Sequence, residues 1–200
     1  MEKIIDYYFD FGSPASYLAY TQLPKLCAQT GASVECKPML LGGVFQATGN
    51  HSPATIPAKG AYTFTDFARF ATRYGVPLAT NPHFPINTLL LMRAAMGLHM
   101  TDDARFVPYC NAMYKAIWVD ALNMNDPAVV GQVLTTAGID PASILALANA
   151  QGTKDALKTA TEAAVARGVF GAPTFFVGNA MFWGQDRLDF VREALDALPA

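Results

Sequence analysis

Tyr8-Phe9-Asp10-Phe11-Gly12-Ser13-Pro14-Ala15-Ser16-Tyr17-Leu18 is the stretch that decides the fold. Upstream of Gly12, the residues Ile5, Tyr7, Phe9 and Phe11 fall on one face at a period of two. Aromatic and β-branched residues dominate Lys3 to Phe11, so the segment reads as a strand. Gly12-Ser13-Pro14 breaks it. Pro14 suits the first position of a helix, where no backbone donor is needed. Leu18, Gln22, Leu26 and Cys27 then recur at helical spacing as far as Gly31, and Pro24 is expected to kink the run. Ser33 to Leu40 reads as a second strand. A β-α-β opening predicts parallel pairing through a right-handed crossover.

Working outward, Gly42 to Ala61 reads as a long connection rich in Gly and Pro. Helices are expected around Phe67 to Tyr74, Asn87 to Gly97 and Phe106 to Ile117, then Pro127 to Ala137, Pro141 to Ala150 and Thr153 to Arg167. Thr174 to Val177 and Ala180 to Trp183 form a hairpin pattern across Gly178-Asn179. A last helix carries Leu188, Val191, Leu195 and Leu198 on one face. The order is β-α-β, a helical block, then α-β-β-α. The block reads as an insertion in one α/β unit, with residues 1–62 and 153–200 forming a discontinuous domain around the insertion 63–152.

The chain has 200 residues, of which 52% are hydrophobic and 15% charged, so it can bury a large core. A formal net charge of -2 without a Lys/Arg run argues against a nucleic-acid partner. No apolar stretch approaches bilayer length and the N-terminus lacks a signal-peptide pattern, so no membrane partner and a cytoplasmic location are expected. Cys27, Cys36 and Cys110 are far apart and form neither a C-x-x-C pair nor a metal-ligand spacing. They are expected to be free, buried thiols, and no metal is expected.

Chemistry concentrates where the first strand meets the first helix. A redox thioredoxin fold carries C-x-x-C at such a turn, whereas Ser13-Pro14-Ala15-Ser16 has hydroxyls in place of both sulfurs. A disulfide cycle is therefore impossible there. The helix N-terminus remains, with unpaired N–H groups and a positive dipole end suited to an anion. Ser13 has two readings, an N-cap and a donor to a thiolate carried by a ligand. Lowering a thiol pKa from ~8.5 by ~2 units takes about 2.7 kcal/mol. A helix end supplies ~0.3–1 kcal/mol. A hydrogen bond to a charged acceptor adds roughly 1.5–3 kcal/mol. The dipole alone falls short, and the two together reach the target. Two further points follow in the chain. Pro173, in Gly171-Ala172-Pro173-Thr174, precedes a strand where thioredoxin-like folds place a cis-proline whose neighbour can pair with an extended peptide. Asp186, in Trp183-Gly184-Gln185-Asp186-Arg187, suits a helix N-cap and also an ammonium partner.

The ordered set resembles the 2-hydroxychromene-2-carboxylate isomerases and kappa-class glutathione transferases, which share a DsbA-like thioredoxin fold. It comprises Tyr8 to Leu18, Gly49-Asn50 with Pro57-Ala58-Lys59-Gly60-Ala61-Tyr62, Tyr74-Gly75-Val76-Pro77, Phe170 to Thr174 and Trp183 to Arg187, and covers nearly the whole chain. The resemblance implies an α/β, thioredoxin-like (DsbA-like) fold and glutathione as cofactor. It implies that Ser13 faces the glutathione sulfur, with Pro14 and Ala15 lining the same pocket. Asn50 would contact glutathione from the long loop, and Ala172 beside Pro173 would pair through its backbone. Gln185 and Asp186 would hold the γ-glutamyl end. Lys59 matches a lysine of the shared loop motif, a charge partner for glutathione or substrate. Asn87 and Arg93, at the apolar helix, are candidates to face the substrate cleft. The isomerases place a lysine in the first long loop against the substrate carboxylate, whereas Gly42-Gly43-Val44-Phe45-Gln46 here has no cation.

The implied function is cis-trans isomerisation of an aromatic-catabolite electrophile through a transient glutathione adduct. The alternatives are a kappa-class transferase that conjugates or reduces small electrophiles, and a redox-dead binding module. The implied partners are glutathione and a small electrophilic substrate, and the resemblance allows a homodimer. Met92, Met96, Met113 and Trp118 read as core.

Overall fold

The computed structural model describes residues 2–101 and 103–198. The expected opening forms: β1 (Ile4–Phe9), α1 (Pro14–Thr30) and β2 (Ser33–Pro38). β1 and β2 pair in parallel, Ile4 opposite Ser33 through Phe9 opposite Pro38. α1 runs on through Pro24, which lies on its exposed side, where the carbonyl freed by the missing N–H can meet water. Gly31 in the left-handed region, φ 69°, closes the helix by donating to Cys27 O.

The expected loop from Gly42 to Ala61 is corrected by the structure. It holds α2 (Leu41–Thr48), a single 3-10 turn (Pro53–Thr55) and the first turns of α3 (Pro57–Tyr74). Two adjacent glycines weaken intrinsic helicity at the start of α2. Burial reverses that bias. Val44 is wholly buried, Leu40 N–H donates to Thr161 Oγ1 at 3.0 Å, and a Cβ on Gly43 would come within 3.2 Å of Thr161 Cγ2.

The helical block continues with α4 (Leu89–Met100), α5 (Phe106–Trp118), α6 (Pro127–Thr136), α7 (Pro141–Asn149) and α8 (Gln151–Ala166). β3 (Thr174–Val177) and β4 (Ala180–Trp183) then form the expected hairpin, and α9 (Leu188–Asp196) ends the described chain. The sheet order is β2-β1-β3-β4, with β3 antiparallel to both neighbours. This is the mixed α/β architecture that the chain order implies, in the thioredoxin-like form that the resemblance implies.

Tyr7, Phe9 and Phe11 project from β1 and its extension into the core and are at most 1% exposed. Phe11 meets Tyr114 of α5 edge-on at 5.0 Å, and Trp118 Nε1 donates to Phe11 O at 2.8 Å. The backbone just before the Gly12-Ser13 turn is thus fixed by α5. Met92, Met96, Met113 and Trp118 are all buried, as the sequence implies. Met92 Sδ also accepts a hydrogen bond from Phe11 N–H at 3.4 Å. The cysteines are free, but only Cys110 is buried; Cys27 and Cys36 are half-buried, which corrects the expectation for those two. No described helix is long and apolar enough to cross a membrane.

Candidate active site

Ser13 lies between the end of the β1 extension and the first turn of α1. Its backbone is extended, φ -98° and ψ 113°, as an N-cap requires. Ser13 Oγ accepts from Ser16 N–H at 3.1 Å, and Ser13 O accepts from Tyr17 N–H at 3.1 Å. Pro14 has no N–H to place. Among the described residues, Ala15 N–H has no hydrogen-bond acceptor. It is the one first-turn donor left for a ligand.

The Ser13 hydroxyl also donates, to Ala172 O at 2.9 Å, across 159 residues of chain. The Ala172–Pro173 peptide is cis, as the position implies. Thr174 Oγ1 donates to Gly171 O at 2.8 Å and holds the loop from behind. Gly171 permits close approach of the hairpin, because a Cβ there would lie 2.6 Å from Trp183 Nε1. Among the described residues, Ala172 N–H has no acceptor, so this edge keeps a free donor beside Ser13.

Asn50 reaches the same loop, with its Nδ2 donating to Phe170 O at 2.9 Å. Gln185 is buried, and its segment is tied to the cis-proline by Gly184 N–H donating to Pro173 O at 3.0 Å. Tyr74 Oη donates to Gln185 O at 2.8 Å. Burial, with the Asp186 charge adding to it, pushes the Tyr74 phenol up to about 12, so it remains a donor.

Asp186 does not cap the last helix, which corrects the N-cap expectation. It lies in a 3-10 turn, Gln185–Arg187, and pairs with Arg187 at 2.9 Å; α9 begins after Arg187 with no side-chain cap. Gly184 makes this possible. Its φ is 108°, and a Cβ there would come within 2.5 Å of Asp186 Oδ1. Asp186 is exposed and lines a groove of about 310 Å³ between α1, α3 and α9, with Lys25 and Arg73 on its walls.

Among the described contacts, no hydrogen bond or ion pair joins the remaining candidates, Lys59, Asn87 and Arg93, to Ser13 or Ala172. Lys59 is exposed on the first turn of α3, and none of its described contacts joins it to Ser13 or Ala172. Asn87 is exposed; its Oδ1 accepts from Leu89 N–H at 3.1 Å, and it lines a separate cavity of about 220 Å³ with Arg93, Met124 and Asn125.

Asp10 lies three residues before Ser13. Wholly buried, it accepts from Gly12 N–H at 2.8 Å, Leu41 N–H at 2.8 Å and Thr88 Oγ1 at 2.7 Å. Burial raises its pKa, partly offset by those three donors. The protein's own thiols are held protonated. Burial pushes Cys36 up to about 12 and holds Cys110 well above the ordinary thiol range. Neither is a ready nucleophile.

Residues 4–196 match the family described as the DSBA-like thioredoxin domain. A 2-hydroxychromene-2-carboxylate isomerase of Sphingobium xenophagum is 32% identical over 197 residues, covering 98% of this chain and 99% of its own. Glutathione S-transferase kappa 1 of Caenorhabditis elegans is 27% identical over 203 residues, covering 96% and 90%. The solved structure of a 2-hydroxychromene-2-carboxylate isomerase superposes with a TM-score of 0.84 at 29% identity, over 96% of this chain and 94% of that one. With Ser13 bonded to the carbonyl before a cis-proline and similarity running over almost the full length, the chain belongs to the DsbA-like thioredoxin family, among the enzymes that include 2-hydroxychromene-2-carboxylate isomerases and kappa-class glutathione transferases.

Proposed function

We propose that the protein binds glutathione along Ser13, Ala15, Ala172–Pro173 and Asn50, with Gln185 and Asp186 at the γ-glutamyl end, and uses its thiol to isomerise a small conjugated electrophile. One observation carries the reading: the unpartnered Ala15 N–H and the Ser13 hydroxyl belong to the same helix N-terminus, and that hydroxyl is bonded to the Ala172 peptide edge. A sulfur there accepts from Ala15 N–H and, once the hydroxyl swings away from Ala172 O, from Ser13.

The magnitudes favour that swing. A neutral hydroxyl–carbonyl bond is worth ~0.5–1.5 kcal/mol and one to a charged acceptor ~1.5–3 kcal/mol, so exchanging them favours the thiolate by about 1 kcal/mol. The Ala15 N–H adds roughly 1.5–3 kcal/mol as a bond to a charged acceptor. With the helix end, at ~0.3–1 kcal/mol, the total exceeds the ~2.7 kcal/mol that two units of thiol pKa require.

In the proposed cycle the thiolate adds to the β-carbon of a conjugated alkene, and the π electrons move onto the adjoining carbonyl oxygen. The former double bond rotates as a single bond. The electrons return, the carbon–sulfur bond breaks, and the alkene is released with its geometry changed and glutathione intact. Ser13 stabilises charge and is not the nucleophile. The kappa-transferase reading uses the same thiolate but lets the adduct leave. Counting thiol during turnover of a 2-hydroxychromene-2-carboxylate separates the two: product forming while free glutathione stays constant supports isomerisation. Loss of one thiol per product supports conjugation, and no turnover with glutathione present rejects both.

A further inference from the structure

Among the described residues, Asp10 is the one buried carboxylate that touches three separate segments around the candidate site, and no ion pair reaches it. Its partners are the active turn through Gly12, the first residue of α2 through Leu41, and the start of α4 through Thr88. Its carbonyl also takes Ser13 N–H at 3.1 Å. A buried charge without a cation is costly, and three donors compensate it only in part. The turn has little room to shift, since a Cβ on Gly12 would meet Asp10 Oδ1 and Thr88 Cγ2, both at 3.3 Å.

The far end of α2 leads to the other side of the site. The helix has eight residues, about 12 Å at 1.5 Å per residue. Gly49, φ 71°, ends it and hands the chain to Asn50, whose amide holds Phe170 O. Phe170 lies two residues before Ala172, the acceptor of the Ser13 hydroxyl. The contacts close a ring: the Ser13 turn, Asp10, α2, Asn50, the Phe170–Ala172 segment, and Ser13 again.

We infer that Asp10 is a positioning residue that sets the spacing between the Ser13 turn and the Asn50–Ala172 edge by gripping the turn and the head of α2 with one carboxylate. The inference rests on the proposed glutathione reading for what that spacing serves. Asp10 touches no reacting atom; it acts through Gly12 and Leu41. A rival account makes it only a local acceptor that keeps the turn folded.

The two accounts differ in coupling. Substitutions at sites that share no partner and stand well apart usually add. Glutathione binding would be titrated by calorimetry in the wild type, Asp10→Asn, Asn50→Ala and the double variant, with hydrogen exchange followed over residues 41–50. Each single change is expected to weaken binding ~10-fold, with the double variant within ~3-fold of the weaker single one. Exchange over 41–50 should speed up in Asp10→Asn while β1 and β3 stay protected. Losses that multiply, or unchanged exchange, would overturn the inference. Should Asp10→Asn fail to fold, Thr88→Val removes one donor from the same carboxylate and should give the same pattern at smaller amplitude; additive losses there would also overturn it. A wild type that gives no heat with glutathione defeats the binding reading. The exchange measurement then judges on its own whether Asp10 holds α2.

Discussion

Residues 4–30 and residues 41–61 flank the same site and were built by different forces. The first stretch is a strand, a turn and a helix whose signals are local: alternating aromatics, Gly12-Ser13-Pro14, then apolar positions at helical spacing. The second has the composition of a loop and yet forms α2 and the start of α3. It folds that way because distant groups receive it: Asp10 at the Leu41 N–H, Thr161 at the Leu40 N–H and against Gly43. Local pattern builds the half that carries Ser13, and tertiary contact builds the half that carries Asn50.

The largest effect should come from attacking the locally built half at its anchor. Phe11→Ala empties a fully buried site between Tyr109 and Tyr114 and should cost about 3–5 kcal/mol in urea unfolding. An effect below ~1.5 kcal/mol would mean that α5 does not fix the turn.

Ser13→Ala comes next and separates the two roles of that residue. Loss of the N-cap should lower stability by about 1 kcal/mol. Loss of the hydroxyl should raise the bound thiol pKa by roughly one unit and slow turnover ~10-fold. A stability loss without any change in the bound thiol would leave Ser13 as a cap alone.

Asp10 joins the two halves and makes stability depend on pH with a definite sign. Its folded pKa lies above the unfolded one, so the native state holds the extra proton between them. Its contribution to stability therefore falls as pH rises from the ordinary carboxylate range through the raised value, and recovers on acidification. Relative to Asp10→Asn, the wild type should gain stability as pH drops through that window, measured by urea midpoints. A difference that stays constant with pH would contradict this.

The smallest test addresses the second half directly. Gly42 lies in the first turn of α2 with nothing within 4 Å of an added Cβ. Gly42→Ala should stabilise the fold by ~0.5–1 kcal/mol if that turn is helical, read as a rise in melting temperature. Destabilisation would indicate that the segment is a loop.

What the sequence makes legible follows the same division. The β-α-β opening and the Thr174–Trp183 hairpin are legible because short motifs at strand ends carry them, whereas the cis Ala172–Pro173 peptide and the proximity of Ser13 to Ala172 are legible only through the likeness to thioredoxin-like folds. Asp10 as a junction is not, since two of its partners stand 31 and 78 residues away and are ordinary residues in the sequence. The N-cap expected of Asp186 fails for a related reason. Gly184 adopts φ 108° and brings the carboxylate back over its own turn toward Arg187, a backbone choice that composition does not reveal. Tyr74 stands in the sequence as the end of an expected helix and the start of the Tyr74-to-Pro77 motif, and its hydroxyl hold on Gln185 depends on how α3 meets the segment before α9.

The proposed chemistry rests on an anion of a small thiol settling against the first turn of α1. The most direct test is the ultraviolet absorbance of thiolate during glutathione addition across a pH series, with wild type and Ser13→Ala side by side. The account predicts a saturable rise in the wild type at pH values where free glutathione is still protonated, with the midpoint moved up by roughly one unit in the variant. A wild-type signal that only follows free glutathione, or identical midpoints in the two proteins, would contradict it.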